Sequence, residues 1–417
     1  MRSRALLFEI VLLFALSCSD GGSGELSALL RTVPSRSVAV MHFDDCGKAL
    51  ELLLDSTHVF RSINYGRLSS NEAILSYDYS AGLVPLLCLD AGRSSDDSSS
   101  VVRSILQQAE AVKLSSLYTA DLLPKRAALL LSPSKALIAE ALEHISSGSS
   151  ILDAPGFPQA AALVSGGRGS IFLKNGSASR LLPRKMLGEY VPRKDLVRFF
   201  SGAAEWTVLG FGAYSREDID VQFWGDGKHK YLCEMFAPLK AGDSEAAQAV
   251  PAAAEYVLGL PLKNAKDYLS AWQECLDMRA ELSKYKGRLA GLKKNSGINP
   301  EGWFAQINPK EVVIARWDGH ELLLIHPSKK AKPSEPAPNP HSGFIPALLG
   351  ESFRLADDSF TASAGGWTAF GSEEDVAAWL EAEKGGPEGL PRKAKCYLLN
   401  NELSIAVEQK NTVLNVW

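Results

Sequence analysis

The chain has 417 residues, 46% of them hydrophobic and 22% charged, which is enough apolar material for a large buried core and too much charge for a membrane bundle. Its 44 basic and 48 acidic side chains leave a net charge of -4, a balance that excludes the basic footprint of a nucleic-acid-binding protein. At roughly 150 residues per domain, this length corresponds to two or three domains.

Arg2 and Arg4 precede an apolar run over residues 5–16, broken by Glu9. The run has the length of a signal-peptide core and is shorter than the ~20 residues that span a bilayer, so residues 1–17 are expected to be an export signal. Ala15-Leu16-Ser17-Cys18 resembles the cleavage box of bacterial lipoproteins, with the small Ser17 before the Cys and Ala15 in place of the preferred Leu. The resemblance implies that Cys18 becomes the new N-terminus, that its sulfur carries a diacylglycerol, and that Ser19 directs the protein to an outer membrane. Residues 18–32 open on Ser19-Asp20-Gly21-Gly22-Ser23-Gly24 and read as a flexible, lipidated tether. Loss of residues 1–17 removes Arg2, Arg4 and Glu9 and leaves a net charge of -5, so anchoring rests on acyl chains and not on basic residues.

The body behind the tether reads as a duplication. Val33-Pro34-Ser35-Arg36-Ser37-Val38-Ala39-Val40-Met41 is echoed from Val250-Pro251, 217 positions later. Each opens a strand that leads into a helical pattern: Leu50, Leu53 and Leu54 in the first copy, and a longer stripe through Tyr268, Trp272, Cys275, Met278, Leu282, Tyr285 and Leu289 in the second. Glu72-Ala73-Ile74-Leu75 and Leu83-Val84-Pro85-Leu86 match Glu311-Val312-Val313-Ile314 and Leu322-Leu323-Leu324-Ile325 at an offset of 239, each pair a hairpin. The same offset joins Leu130-Leu131-Ser132-Pro133-Ser134 to Ala369-Phe370-Gly371-Ser372-Glu373, and the change from 217 to 239 places 22 extra residues in the second copy. Ser170-Ile171-Phe172-Leu173 matches Cys396-Tyr397-Leu398-Leu399 at 226, and closing hairpins end at Trp224 and Trp417.

Each copy therefore reads as strand, helix, hairpin, helix, two strands, helix, strand, hairpin. The fold class expected is α+β, with two related mixed helix/antiparallel-sheet copies in tandem. The first copy covers 33–224, a connecting segment 225–249 and the second copy 250–417. Residues 92–100, rich in Ser and Asp, and 327–341, rich in Lys and Pro, read as solvated connections.

No catalytic, cofactor or metal constellation emerges. Beyond Cys18, the cysteines Cys46, Cys88, Cys233, Cys275 and Cys396 form no close pair and no zinc or redox motif, and read as core thiols, with a disulfide left open. His320-Glu321 with His326 lacks the spacing that puts two imidazoles on one helical face. His42 with Asp44 and Asp45 could reach a ligand from a loop, although a helix N-cap role for Asp44 or Asp45 explains the acids. Ser132-Pro133-Ser134-Lys135 has serine–lysine spacing without its companion motifs and reads as helix capping. Gly166-Gly167-Arg168-Gly169-Ser170 lacks a phosphate-binding lysine, and Gly210-Phe211-Gly212 is no dinucleotide fingerprint. Trp303 and Trp317 are candidates for stacking on a sugar ring, whereas Trp272 and Trp379 lie on apolar helix faces.

The lipobox-like start, the Val-Pro opening of a strand–helix unit and its repetition resemble bacterial lipoprotein families of unknown function, over most of the chain. The resemblance implies an envelope location and assigns no activity. The function expected is a non-catalytic lipoprotein, membrane-held through Cys18, that binds or scaffolds an envelope protein, peptide or glycan. The alternative is an envelope hydrolase. The 22 extra residues of the second copy are expected to contribute to the partner surface.

Overall fold

The computed structural model describes residues 27–52, 58–79, 83–92, 96–123, 126–164, 168–175, 202–211, 219–228, 230–400, 403–407 and 412–416. Cys18, the signal segment, Gly166 and Gly167 lie outside them. The chain forms two compact units, one up to Asp226 and one from Gly227.

The first unit contains β1 (Ala39–Phe43), α1 (Cys46–Leu52), α2 (His58–Arg61), β2 (Ala73–Tyr79), β3 (Leu83–Gly92), α3 (Asp96–Ala111), β4 (Ser115–Leu123) and β5 (Arg126–Ser132). It continues with α4 (Lys135–Ser147), α5 (Phe157–Ala161), β6 (Gly169–Lys174), β7 (Trp206–Phe211) and β8 (Ile219–Trp224). The strands form an antiparallel sheet in the order β4-β5-β3-β2-β1-β6-β7-β8. Its central strands read as unbroken apolar runs because both faces are buried. Val40, Ile74, Cys88, Leu130 and Phe172 pack on one side with α4 and α5, around edge-to-face contacts of Phe157 with Phe172 and Trp206. Met41, Leu75, Leu87 and Leu129 are buried on the other side. Helix α4 starts where Ser134 accepts the Leu137 N–H and stops at Gly148, whose φ of 74° suits a residue without a Cβ.

The second unit contains α6 (Leu232–Phe236), β9 (Gly242–Asp243), β10 (Tyr256–Pro261), α7 (Ala265–Met278), α8 (Leu282–Ser296), α9 (Pro300–Ile307), β11 (Pro309–Trp317) and β12 (His320–Pro327). Then come β13 (Ser334–Pro338), α10 (Phe344–Leu349), β14 (Phe360–Ala364), β15 (Trp367–Gly371), α11 (Glu373–Glu381), β16 (Lys393–Ala394), β17 (Cys396–Asn400), β18 (Leu403–Val407) and β19 (Thr412–Val416). Its sheet order is β13-β14-β15-β12-β11-β10-β17-β18-β19, again antiparallel, while β9 and β16 pair separately. Without the added edge strand β13, this is the order of the first unit. The fold is thus α+β, with two related mixed helix–sheet units in tandem.

The pairing registers agree residue by residue. Met41 opposes Leu75 as Leu258 opposes Ile314, in agreement with the offsets 217 and 239 and with the 22-residue difference between β1–β2 and β10–β11. Two strand offsets differ from those read in the sequence, and the helix cap Ser134 corresponds to Ser372 and not to Glu373, an offset of 238. Ile74 faces Cys88 as Val313 faces Leu324, so β3 and β12 are related by 236: the turn at Asp318 and Gly319 (φ 45° and 86°) is a two-residue hairpin, shorter than its counterpart. Val40 faces Phe172 as Val257 faces Leu399, so β6 and β17 are related by 227. A one-residue slip exchanges the two faces of a strand, and strands apolar on both faces hide it.

Other boundaries also differ. Residues 28–32, read as tether, form a 3-10 helix whose Leu29 and Leu30 enter the first core. Segment 225–249, read as a connection, packs largely on the second unit: Ala246 and Ala249 join its core, and the buried Lys395 donates to the carbonyls of Phe236 and Ala237 at 2.9 and 3.1 Å. The long helical stripe is two helices, because Ala280 turns left-handed (φ 57°) between α7 and α8 and leaves Met278 exposed. The Lys/Pro-rich stretch contains β13, which tolerates prolines at a sheet edge. The Ser/Asp-rich stretch ends β3 at Gly92 and starts α3 at Asp96.

Candidate functional site

A buried polar cluster sits in the first unit between β2 and α4. Arg36, in the turn before β1, donates from Nε to Asp78 Oδ2 at 2.6 Å and from Nη2 to Glu140 Oε2 on α4. His144, one helical turn beyond Glu140, lies 3.3 Å from its other oxygen. The Asp78 side chain is 1% exposed and that of Arg36 51%, so a buried carboxylate is covered by a cation that is half in solvent. The Asp78 bond holds the Arg36 guanidinium above its ordinary pKa. Asp78 Oδ1, Ser76 Oγ, Ser37 Oγ and His144 Nδ1 are buried with no hydrogen-bond partner among the described residues. Leaving such atoms unpaired costs ~1–3 kcal/mol each.

The second unit shows that the fold does not require this cluster. Under the registers above, Arg36, Ser37, Ser76 and Asp78 correspond to Ala253, Ala254, Ala315 and Trp317. The helix caps Ser134 and Ser372 align Glu140 and His144 with Ala378 and Ala382. Six polar positions in one unit are apolar in the other, where Trp317, Trp367 and Trp379 fill the core.

A second polar group is built differently in the two units. Glu311 is fully buried and accepts from Ser244 Oγ at 2.7 Å, Glu245 N at 2.8 Å and Tyr397 OH at 2.9 Å. Burial outweighs these donors and pushes its carboxyl up to about 7. The Tyr397 ring crosses Gly259, where an added Cβ would lie 1.9 Å from Tyr397 Cζ. The equivalents in the first unit are Glu72, Ser170 and His42, and there His42 Nε2 meets Glu72 Oε1 at 2.8 Å, partly open to solvent.

The residues singled out from sequence disperse. His320 Nδ1 pairs with Asp375 at 2.8 Å, whereas His326 is buried and stacks on Trp367 at 4.8 Å. Burial depresses the pKa of His326. No group of three or more His, Cys, Asp or Glu side chains able to hold a metal exists among the described residues. Asp45 accepts the Lys48 N–H at the start of α1, Ser134 caps α4, and Ser132 donates to Pro85 O. Trp317 and Trp379 are buried. Trp272 is half-buried, and Trp303 stacks on His341 with centroids 4.8 Å apart. Cys46, Cys88, Cys275 and Cys396 are buried free thiols, Cys233 a partly buried one. Desolvation raises the Cys46, Cys88, Cys233 and Cys396 thiols to about 12, so they are poor nucleophiles. No motif in the sequence singles out Arg36, Asp78, Glu140 or His144.

The extra residues of the second unit fall in α7–α9. Helix α8 buries Tyr285 and Leu289 and carries Lys284, Lys286, Arg288, Lys293 and Lys294 with no acidic residue. Arg288 is engaged by Glu351 at 2.6 Å, and the four lysines are exposed. Gly287 and Gly291 lie between them with nothing within 4 Å of an ideal Cβ. No helix among the described residues is long and apolar enough to cross a membrane. Comparison of the chain with protein-family models, with curated proteins and with solved structures gives no match.

Proposed function

We propose that the chain is a non-catalytic lipoprotein of the bacterial cell envelope, held to a membrane through acylated Cys18, that binds a partner through the α7–α9 face of its second unit. The observation that carries the reading is α8: a helix with five basic residues and no acidic one, on a chain of net charge -4. Such a face selects an anionic surface, here an acidic segment of an envelope protein, by electrostatic complementarity and faster encounter. The exposed Gly287 and Gly291 add to the case, since interior helical glycines cost ~1 kcal/mol each relative to alanine and allow close approach of another backbone. The shared strand order supports descent of both units from one ancestor by duplication.

Crosslinking in native envelopes tests both parts of the proposal. Wild type is expected in the membrane fraction with a reproducible crosslinked protein. Cys18→Ala is expected to leave the membrane fraction. Lys284→Glu/Lys286→Glu/Lys293→Glu/Lys294→Glu is expected to stay there, fold as judged by circular dichroism, and lose most of the crosslink. Membrane retention of processed Cys18→Ala would overturn the anchor, and an undiminished crosslink in the quadruple variant would overturn the binding face.

A further inference from the structure

The Arg36 cluster has the form of a cation site filled by the protein's own side chain. Two carboxylates, Asp78 and Glu140, are bridged by one guanidinium. Arg36 engages only one oxygen of Asp78: its Nε reaches Oδ2, while Oδ1 is buried and unpaired among the described residues. A carboxylate and a guanidinium prefer the fork-to-fork arrangement with two parallel N–H···O bonds. Arg36 leaves that arrangement incomplete at Asp78 because its other bonding nitrogen goes to Glu140. Ser76 Oγ, on the same strand face two residues from Asp78, is a further buried oxygen without a partner among the described residues. The second unit has no charged residue at any of the six corresponding positions.

We infer that Asp78, Glu140 and Ser76 form a binding site for the guanidinium group of an arginine side chain on a peptide partner, with Arg36 as its resident, displaceable occupant. An incoming guanidinium, free of the β1 backbone, pairs with both Asp78 oxygens and donates its remaining N–H groups to Ser76 Oγ and Glu140. Arg36 is half in solvent and swings out at the cost of its two ion pairs. The site lies in the first unit, so the inference stands apart from the α8 face.

Calorimetric titration of the full-length protein with N-acetyl-arginine N-methylamide tests this, with the citrulline analogue as the neutral isostere. Wild type is expected to bind the arginine compound and not the citrulline one. Arg36→Ala removes the internal competitor and is expected to bind about tenfold tighter. Glu140→Gln, at a partly exposed position, is expected to weaken binding several-fold, and Asp78→Asn to abolish it. Binding by Arg36→Ala but not by wild type would make Arg36 a permanent structural ion pair and overturn the inference. Equal binding of the citrulline compound, or unchanged affinity in both carboxylate variants, would overturn it as well.

Discussion

Trp379→Ala is expected to destabilise the second unit by about 4 kcal/mol, the cost of removing a large buried aromatic side chain and leaving a cavity. Trp379 is 1% exposed and packs in the core formed by Val257, Val313, Leu324 and Trp367. Its indole N–H donates to Ala249 O at 2.8 Å, which fastens the segment entering β10 to α11, so truncation also strips that carbonyl of its partner. The Lys384 ammonium, 4.9 Å from the ring centroid, loses its aromatic platform. Urea unfolding followed by circular dichroism measures the effect. A loss below about 1 kcal/mol would mean that this core collapses around the gap or is not packed as described.

The second large effect is a pH dependence centred on Glu311. Its folded-state pKa of about 7 lies above the ordinary 4.5, so between these values the folded protein holds a proton that the unfolded chain releases. Stability from this group therefore rises as pH falls from 8 towards 4.5, and a buried charge penalises the fold above pH 7. The window corresponds to about 3 kcal/mol. His326 acts in the opposite sense: its depressed pKa means that the unfolded chain takes up a proton first, and stability falls as pH drops through the ordinary value of 6.5. Comparison with Glu311→Gln cancels that contribution except for its coupling to Glu311, the cross-strand partner of His326. The difference in unfolding free energy between the two is expected to shift by about 3 kcal/mol in favour of wild type from pH 8 to pH 5. Parallel profiles would show that Glu311 is ionised throughout.

Much of the fold is legible in the sequence because the β-sheet and helix periods survive in it. The Val-Pro openings, the hairpin pairs and the capped helices at Ser134 and Ser372 fix the order of elements in both units. Registers are less legible. Ile171-Phe172-Leu173 and Tyr397-Leu398-Leu399 are apolar on both faces, so nothing in the letters separates an offset of 226 from 227. Strand β13 is obscured by Pro336 and Pro338, which an edge strand accommodates because its outward N–H positions need no donor. The polar cluster is invisible for another reason. Arg36 lies in the Val-Pro strand opening, Asp78 in the β2–β3 hairpin, and Glu140 and His144 on the helix after Ser134, far apart along the chain. Only the pairing of β1 with β2 and the docking of α4 bring them together. Its contrast with Ala253, Ala254, Ala315, Trp317, Ala378 and Ala382 emerges once the registers are known.

Both units follow one sheet plan, to which the polar cluster of the first is an addition that the fold does not need. The most direct test of this is the stability of the variant Arg36→Ala/Ser37→Ala/Ser76→Ala/Asp78→Trp/Glu140→Ala/His144→Ala, which writes the second unit's residues into the first. Removing the Arg36 and Glu140 side chains frees space for the indole, and replacing the buried Asp78 carboxylate together with its half-exposed partner by apolar packing removes a desolvated charge, an exchange that is commonly neutral or stabilising. The urea midpoint is predicted to stay the same or rise, with an unchanged denaturant slope. A fall in unfolding free energy of more than about 2 kcal/mol would contradict the shared plan and make the charged residues part of what holds the first unit together.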